Sequence, residues 1–274
     1  MKNILVPIDF SANAERAIAA ARVVSKSLGA HIYLLHVHQP VMTDVTLGHG
    51  AIPGYEEIEA SFRDDLKNYV NTLNAEGFSA EGIWETGIVA DMVRAKIGEL
   101  NPELVVIGRT GTGGFMDKLF GTAATDIVKV SQVPVLIVPP QAGKPHEFRE
   151  IVYATQLEYE ERHVIRQVLE FSGKLGGRVT FLKVSSLTQP NVQEDKQFVD
   201  EIIAEFGLPE EDFLIREAGS VVGGIEKYAR ELDADVLVVA TRTRGFLERL
   251  LIDPSVTNRL IVNTSIPLLV YHLN

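Results

Sequence analysis

Two kinds of hydrophobic pattern alternate along this chain. Short apolar runs rich in β-branched residues predict buried strands, and longer stretches with an apolar position every three or four residues predict amphipathic helices. Their alternation is typical of βαβ units and of a parallel sheet covered by helices. The strands predicted in the first half are Ile4–Ile8, His31–Val37, Ala80–Glu85, Leu104–Ile107 and Val135–Val138, and the predicted helices span about 13–28, 57–73, 91–100 and 122–131.

The same pattern is written twice. ILVPIDF at Ile4 recurs as IVYATQL at Ile151, and HIYLLHV recurs as RVTFLKV, both 147 residues later. ELVVIG at Glu103 recurs as DVLVVA at Asp235, 132 residues later, and ETG recurs as EAG at the same offset. A constant offset that changes once by 147 − 132 = 15 residues indicates a single deletion between the second and third strands of the second copy.

The repeat predicts two fused α/β domains, residues 1–141 and 148–274. Pro139-Pro140, followed by Gly143 and Pro145, has the composition of a linker between them. Domains of this length are of ordinary size and can bury a core of their own.

Composition narrows the range of functions. The chain has 274 residues, of which 46% are hydrophobic and 23% charged, with a net charge of −11 and a pI of about 5.2. Nucleic-acid-binding proteins usually carry a basic surface, so a nucleic-acid partner is not expected. The absence of cysteine excludes disulfides and thiolate chemistry. No apolar segment is long enough for a membrane span, and we expect a soluble cytoplasmic protein with no membrane partner.

A glycine-rich segment follows the fourth predicted strand. GRTGTGGFMDKLFGT carries five glycines within residues 108–121, and a predicted helix opens at Gly121-Thr122. Ligands of open parallel sheets bind beyond the carboxyl ends of the strands, and free amides at a helix start favour phosphate. The segment matches neither the P-loop nor the dinucleotide-binding glycine pattern. It therefore predicts a phosphate cradle built from backbone.

The spacing Gly-2x-Gly-9x-Gly-Thr, from Gly108 to Thr122, resembles the ATP-binding signature of the universal stress protein family. ILVPIDFSANAERAI, LLHV and VPVLIV resemble the first, second and last strand regions of that family, and the likeness covers nearly the whole chain twice. The chain is thus similar to a tandem universal stress protein. This implies an α/β fold of the adenine-nucleotide alpha-hydrolase-like type, with strand order 3-2-1-4-5 and helices on both faces of each five-stranded parallel sheet.

The resemblance also implies an ATP site. In the first copy Asp9 would accept hydrogen bonds from the ribose hydroxyls, and the Val37 backbone would meet the adenine edge. Mg²⁺ on the phosphates would fit the shortage of protein charges there, with Arg109 and Lys118 as nearby cations. Ile107 and Gly108 would line the ribose and adenine side, and the residues around the phosphates would be Gly111, Gly121, Thr122, Ala123 and Ala124. The implied ATP-binding residues also include Pro7, Ile8 and Arg109.

The second copy departs from this signature. Gln156 stands where the first copy has Asp9, and Ala240 stands where it has Gly108. Asp253-Pro254 displaces the glycine turn that precedes the last helix. The second copy is therefore predicted to have lost the ability to bind ATP.

Other interpretations of these residues remain open at this point. Asp9 is also placed to support the start of a helix beside Ser11, and Gly113-Gly114 fits an ordinary tight turn. No catalytic or metal-binding residue is assigned. His36 and His38, with Asp44 and His49, are a possible metal site with ordinary spacing. Three arginines of the second copy either bind an anion or belong to a solvated or domain-interface surface: Arg242, Arg244 and Arg249.

Three functions follow as hypotheses. The first is a regulatory, stress-response protein with one ATP site; the second is a slow ATPase or phosphotransferase using the same site; the third is a scaffold without nucleotide. The apolar last strands would lie at sheet edges, which are normally covered. Together with the family resemblance, this implies that Val135–Val138 and Leu268–Tyr271 pair antiparallel within one chain as a pseudo-dimer. A homodimer of whole chains and an unidentified protein partner remain open.

Overall fold

The computed structural model describes residues 2–39, 55–109, 117–142, 145, 147–186, 196–242 and 255–273. The first half contains β1 (Asn3–Ile8), α1 (Ala12–Leu28), β2 (His31–His38), α2 (Tyr55–Ala75), β3 (Ala80–Thr86), α3 (Val89–Leu100), β4 (Leu104–Gly108), α4 (Asp117–Val130) and β5 (Val135–Val138). The second half contains β6 (Glu150–Ala154), α5 (Arg162–Leu175), β7 (Arg178–Ser185), α6 (Lys196–Phe206), β8 (Phe213–Glu217), α7 (Val221–Glu231), β9 (Val236–Arg242), α8 (Ser255–Asn263) and β10 (Leu268–Leu273).

The ten strands form one continuous sheet in the order β3-β2-β1-β4-β5-β10-β9-β6-β7-β8. Each half has the predicted order 3-2-1-4-5, and every pairing inside a half is parallel. The halves meet at β5 and β10, which pair antiparallel with Leu268 opposite Ile137 and Val270 opposite Val135. The predicted pairing within one chain is therefore confirmed.

The two halves repeat even an unfavourable backbone conformation. Phe10 follows β1 with φ 60°, and Leu157, 147 residues later, follows β6 with φ 59°. A left-handed conformation is costly for a bulky residue, so packing must hold it in place. The Phe10 ring lies 4.6 Å from the His36 ring and 5.4 Å from the Phe62 ring between centroids, and Leu157 is buried.

Each face of the sheet carries its own apolar core, as alternation along the strands requires. In β1, Ile4, Val6 and Ile8 face the core under α1, whereas Leu5 faces the core on the opposite side, under α3 and α4. Both cores continue across the seam into the second half. None of the described helices combines the length and the apolar composition needed to cross a bilayer.

The start of α4 differs from the sequence-based expectation. The helix begins at Asp117, so Gly121 and Thr122 lie inside it and do not open it. Residues 117–120 read DKLF and contain neither proline nor glycine, so nothing in their backbone chemistry stops the helix from starting earlier. The amides without an intrahelical acceptor are those of the first turn from Asp117, and not those at Gly121.

We expect a chain that ends at residue 144 to self-associate. Removing the second half exposes the β5 edge, whose four residues are all buried in the intact sheet. An unpaired apolar edge recruits another strand, and a second copy of the fragment offers one. Sedimentation at matched concentrations, with the full chain as the control, measures this association, and a stable monomeric fragment would show that the edge does not require a partner.

Candidate functional site

The candidate site lies where the sheet order reverses in the first half. β1 pairs with β2 on one side and with β4 on the other, so the carboxyl ends of these three strands are neighbours. Asp9 follows β1, Val37 lies near the end of β2, and Gly108 ends β4. Crossover connections leave β1 and β4 toward opposite faces, which opens a crevice of the kind that binds ligands in such sheets.

Asp9 supports the start of α1 and remains exposed. Its Oδ1 accepts hydrogen bonds from the amide of Ser11 at 3.1 Å and from the Ser11 hydroxyl at 2.5 Å. Ser11 in turn caps α1, because its Oγ accepts from the amides of Asn13 and Ala14 at 3.3 Å each. The capping interpretation is thus correct for one carboxylate oxygen. A carboxylate has about four acceptor sites, so two hydrogen bonds from Ser11 do not exhaust it.

Val37 has a backbone position suited to an additional partner. The pairing of β1 with β2 ends at Ile8 opposite His36, so Val37 lies one residue beyond the last pair. On its other side Val37 still pairs with Glu85 of β3. Its half-buried side chain packs on the face covered by α3, together with Ile107 and Val89.

Gly108 is a glycine for a reason that the sequence did not reveal. A Cβ built on it would lie 2.2 Å from the carbonyl oxygen of Asn13, in the first turn of α1. The close approach that requires glycine is therefore made by the backbone of α1, and not only by a ligand as the sequence suggested. Gly108 also lacks a positive φ.

Arg109, predicted beside the phosphates, has its side chain in the seam between the two halves. Its side chain is only 3% exposed and crosses into the second half. Nη1 donates to the carbonyl of Ile261 at 2.7 Å, and Nη2 donates to that of Thr264 at 2.6 Å and more weakly to Gln141 Oε1 at 3.4 Å. A cation at the carboxyl end of α8 satisfies carbonyls that have no helical partner and complements the helix dipole.

The other predicted site residues fall into three groups. Ile8 and Ala124 have buried side chains in the two cores, and Pro7 is half-buried beside Ile8. Gly121, Thr122 and Ala123 lie within α4. Gly111 lies outside the described residues, as do Gly113 and Gly114.

The histidine alternative gains no support within the described residues. Burial lowers the pKa of His36, and its Nδ1–H donates to the Ile8 carbonyl at 3.0 Å. No group of three or more His, Asp or Glu side chains in the described parts of the chain is arranged to hold a metal ion. Asp44 and His49 lie outside those parts, as do Arg244 and Arg249.

In the second half, a buried carboxylate lies at the end of β6, the strand that corresponds to β1. Glu161 accepts hydrogen bonds from the Tyr153 hydroxyl at 2.9 Å and the Thr155 hydroxyl at 2.8 Å, and from the amides of Gln156 at 3.0 Å and Glu158 at 3.1 Å. Burial raises the pKa of Glu161, while these donors pull it the other way. The donors of the loop after β6 are thus engaged by the chain itself.

One exposed residue at the first-half edge was missed by the sequence analysis. Ile88 precedes α3 and is 66% exposed, although large apolar side chains are usually covered. A comparison of the two copies could have identified it, because the second half has a serine, Ser220, at the start of the corresponding helix.

The fold defines an α/β protein built as two copies of a five-stranded parallel sheet in one chain. The profile of the universal stress protein family matches residues 1–139 and again 147–272. The chain belongs to this family, as two tandem universal stress protein domains.

Individual relatives agree with this assignment. A universal stress protein of Thermus aquaticus is 28% identical over 149 residues, covering 50% of this chain and 98% of its own length. The universal stress protein YxiE of Bacillus subtilis is 26% identical over 147 residues, covering 49% of this chain and 97% of its own. The crystal structure of a universal stress protein from Archaeoglobus fulgidus superposes with a TM-score of 0.77 at 20% identity, covering 99% of this chain and 96% of its own, and shows the same fold.

We expect Gly108→Ala to lower the free energy of unfolding by about 1–3 kcal/mol, because the new methyl group overlaps the α1 backbone. Urea denaturation measures the change. Gly98→Ala is the matched control: Gly98 lies inside α3 with nothing within 4 Å of its Cβ position, so alanine should stabilise by roughly 0.5–1 kcal/mol. Equal stability of the Gly108→Ala variant and the original chain would show that the first turn of α1 moves freely.

We expect Arg109→Ala to cost about 2–4 kcal/mol of unfolding free energy, since it leaves buried carbonyls of α8 without donors. Hydrogen exchange should localise the loss to the end of α8. Arg94→Ala is the control, because Arg94 is 63% exposed and pairs with nearby Asp91 at 3.0 Å, so its loss should change stability by no more than about 0.5 kcal/mol. Similar effects of both substitutions would contradict a role for Arg109 at the seam.

Proposed function

We propose that this chain is a cytoplasmic, ATP-binding regulatory protein of the stress response, with one nucleotide site at the carboxyl edge of its first domain, residues 1–141. The observation that carries the proposal is the exposed carboxylate of Asp9 beside the strand end from which the glycine-rich segment leaves. A ribose presents two neighbouring hydroxyl donors, and an exposed carboxylate at a strand switch point is a suitable acceptor for both.

The described residues fit an adenine nucleotide in this orientation. The backbone of Val37, one residue past the last β1–β2 pair, offers polar groups to the edge of a base. Val37, Ile107 and Val89 supply apolar surface on the same face of the sheet. The phosphates would then lie toward the segment from Gly108 to the first turn of α4, where backbone amides favour anions. When bound, Mg²⁺ would be held mainly by the phosphates.

The second domain, residues 148–274, is proposed to serve as the permanent partner of the first and not as a second ATP site. Gln156 stands where the first domain has Asp9. A neutral amide oxygen accepts hydrogen bonds from ribose hydroxyls less strongly than a carboxylate does. The loop amides of Gln156 and Glu158 already donate to Glu161. This arrangement supports a stable second half that presents β10 to β5.

We expect Asp9→Asn to weaken ATP binding about tenfold, because the amide keeps one oxygen for Ser11 but loses the charge that strengthens hydrogen bonds from ribose. Isothermal titration of the full chain with ATP and with inorganic tripolyphosphate measures this. Affinity for tripolyphosphate should change little, since it has no ribose.

Gln156→Ala in the second domain is the matched control and should leave ATP affinity and the one-to-one stoichiometry unchanged. Loss of ATP binding on Gln156→Ala, or two sites per chain, would contradict the single-site proposal. An original chain that binds no ATP would favour the scaffold hypothesis.

A further inference from the structure

Ile88 is an apolar side chain in a place that helix stability does not explain. It occupies the N-cap position of α3, with φ −85° and ψ 127°, and makes no side-chain hydrogen bond to the helix. Ser, Thr, Asp and Asn are strongly preferred at this position because their oxygens accept from the free helix amides, whereas isoleucine is among the poorest caps. At 66% its exposure is the largest among the large hydrophobic side chains of the described residues.

The second copy shows what the same helix start looks like when it is capped. Ser220 is the N-cap of α7, and its side chain accepts from the amide of Gly223 at 3.2 Å. The two helices occupy the same position in chain order, between the third and fourth strands of each half. The copy that keeps the glycine spacing thus carries the exposed isoleucine, and the copy that lost it carries the stabilising serine.

Ile88 also lies near the carboxyl ends of the strands, where the candidate site is. The amide of Gly87, directly before it, donates to the carbonyl of His38 at the end of β2 at 3.1 Å. Val89, directly after it, packs in the same core as Val37 and Ile107. Ile88 therefore lies between a residue bonded to the end of β2 and a residue that packs with Val37 and Ile107, near the strand end whose backbone is proposed to meet the adenine edge.

We propose that Ile88 covers one face of the bound purine base and so contributes to base recognition at the first-domain site. This rests on the proposed function, and it identifies a contact residue outside the glycine-rich segment. An aliphatic side chain packs on a flat aromatic ring and removes apolar area of both from water. The uncapped helix start is then the stability cost of an apolar contact that serves the ligand.

The test is Ile88→Ser, which gives α3 the cap that α7 already has. Without ligand, this variant should unfold at a temperature about 1–3 °C higher than the original chain, because the helix gains a cap. If Ile88 were there for stability, its replacement would lower that temperature instead. Its affinity for ATP should fall about tenfold, because roughly one side chain of apolar contact is lost. Affinity for inorganic tripolyphosphate, which has no base, should stay the same.

Ile215→Ser is the matched control, because Ile215 is also exposed but lies on β8 at the far edge of the second half. It should leave the affinity for ATP unchanged. If Ile88→Ser binds ATP as the original chain does, or weakens ATP and tripolyphosphate equally, the inference is overturned while the ATP site stands. If the original chain binds neither probe, the proposed function is overturned, and the inference with it.

Discussion

The antiparallel pairing of β5 with β10 is the interaction on which the rest of the molecule depends. All four residues of β5 are buried, and so are Leu268 to Tyr271 of β10. Either strand alone would be an apolar edge with unpaired amides and carbonyls, which water or another chain would have to satisfy. Pairing them makes one ten-stranded sheet from two halves and lets both cores run through the seam. Among the described strands, β3 and β8 are then the edges.

A second constraint links the start of α1 to the end of β4. The backbone of Asn13 lies so close to Gly108 that no side chain fits between them. In the second half Ala240 stands in place of this glycine, and the turns at Tyr159–Glu161 are of the tighter 3-10 type, with α5 beginning only at Arg162. The second half thus lacks both the glycine and the early helix start, and its loop after β6 is held by Glu161, which accepts hydrogen bonds from Thr155 and Gln156.

Most of the fold could be predicted from the sequence because its signals are local or repeated. Short apolar runs and period-3.6 patterns located the strands and helices of the first half, and the fixed offsets between the copies showed that the second half repeats them. The strand order came from the family resemblance. The contacts that failed prediction are long-range. The sequence around Arg109 does not indicate that its guanidinium donates hydrogen bonds to carbonyls 152 and 155 residues further along the chain. The start of α4 was mispredicted for a local reason: the glycine at 121 suggested a helix start, although the residues before it are compatible with helix.

The two halves also differ in how completely each satisfies its own polar groups at the carboxyl edge. In the second half Ser220 caps α7 and Glu161 gathers four donors, so that edge is stabilised by the chain alone. In the first half α3 starts without a side-chain cap, and Asp9 and Ile88 are exposed. Binding sites commonly keep such unfavourable features because a ligand, and not the fold, supplies the missing contacts. The duplication allows this division, since the better-satisfied half also provides the strand that covers β5.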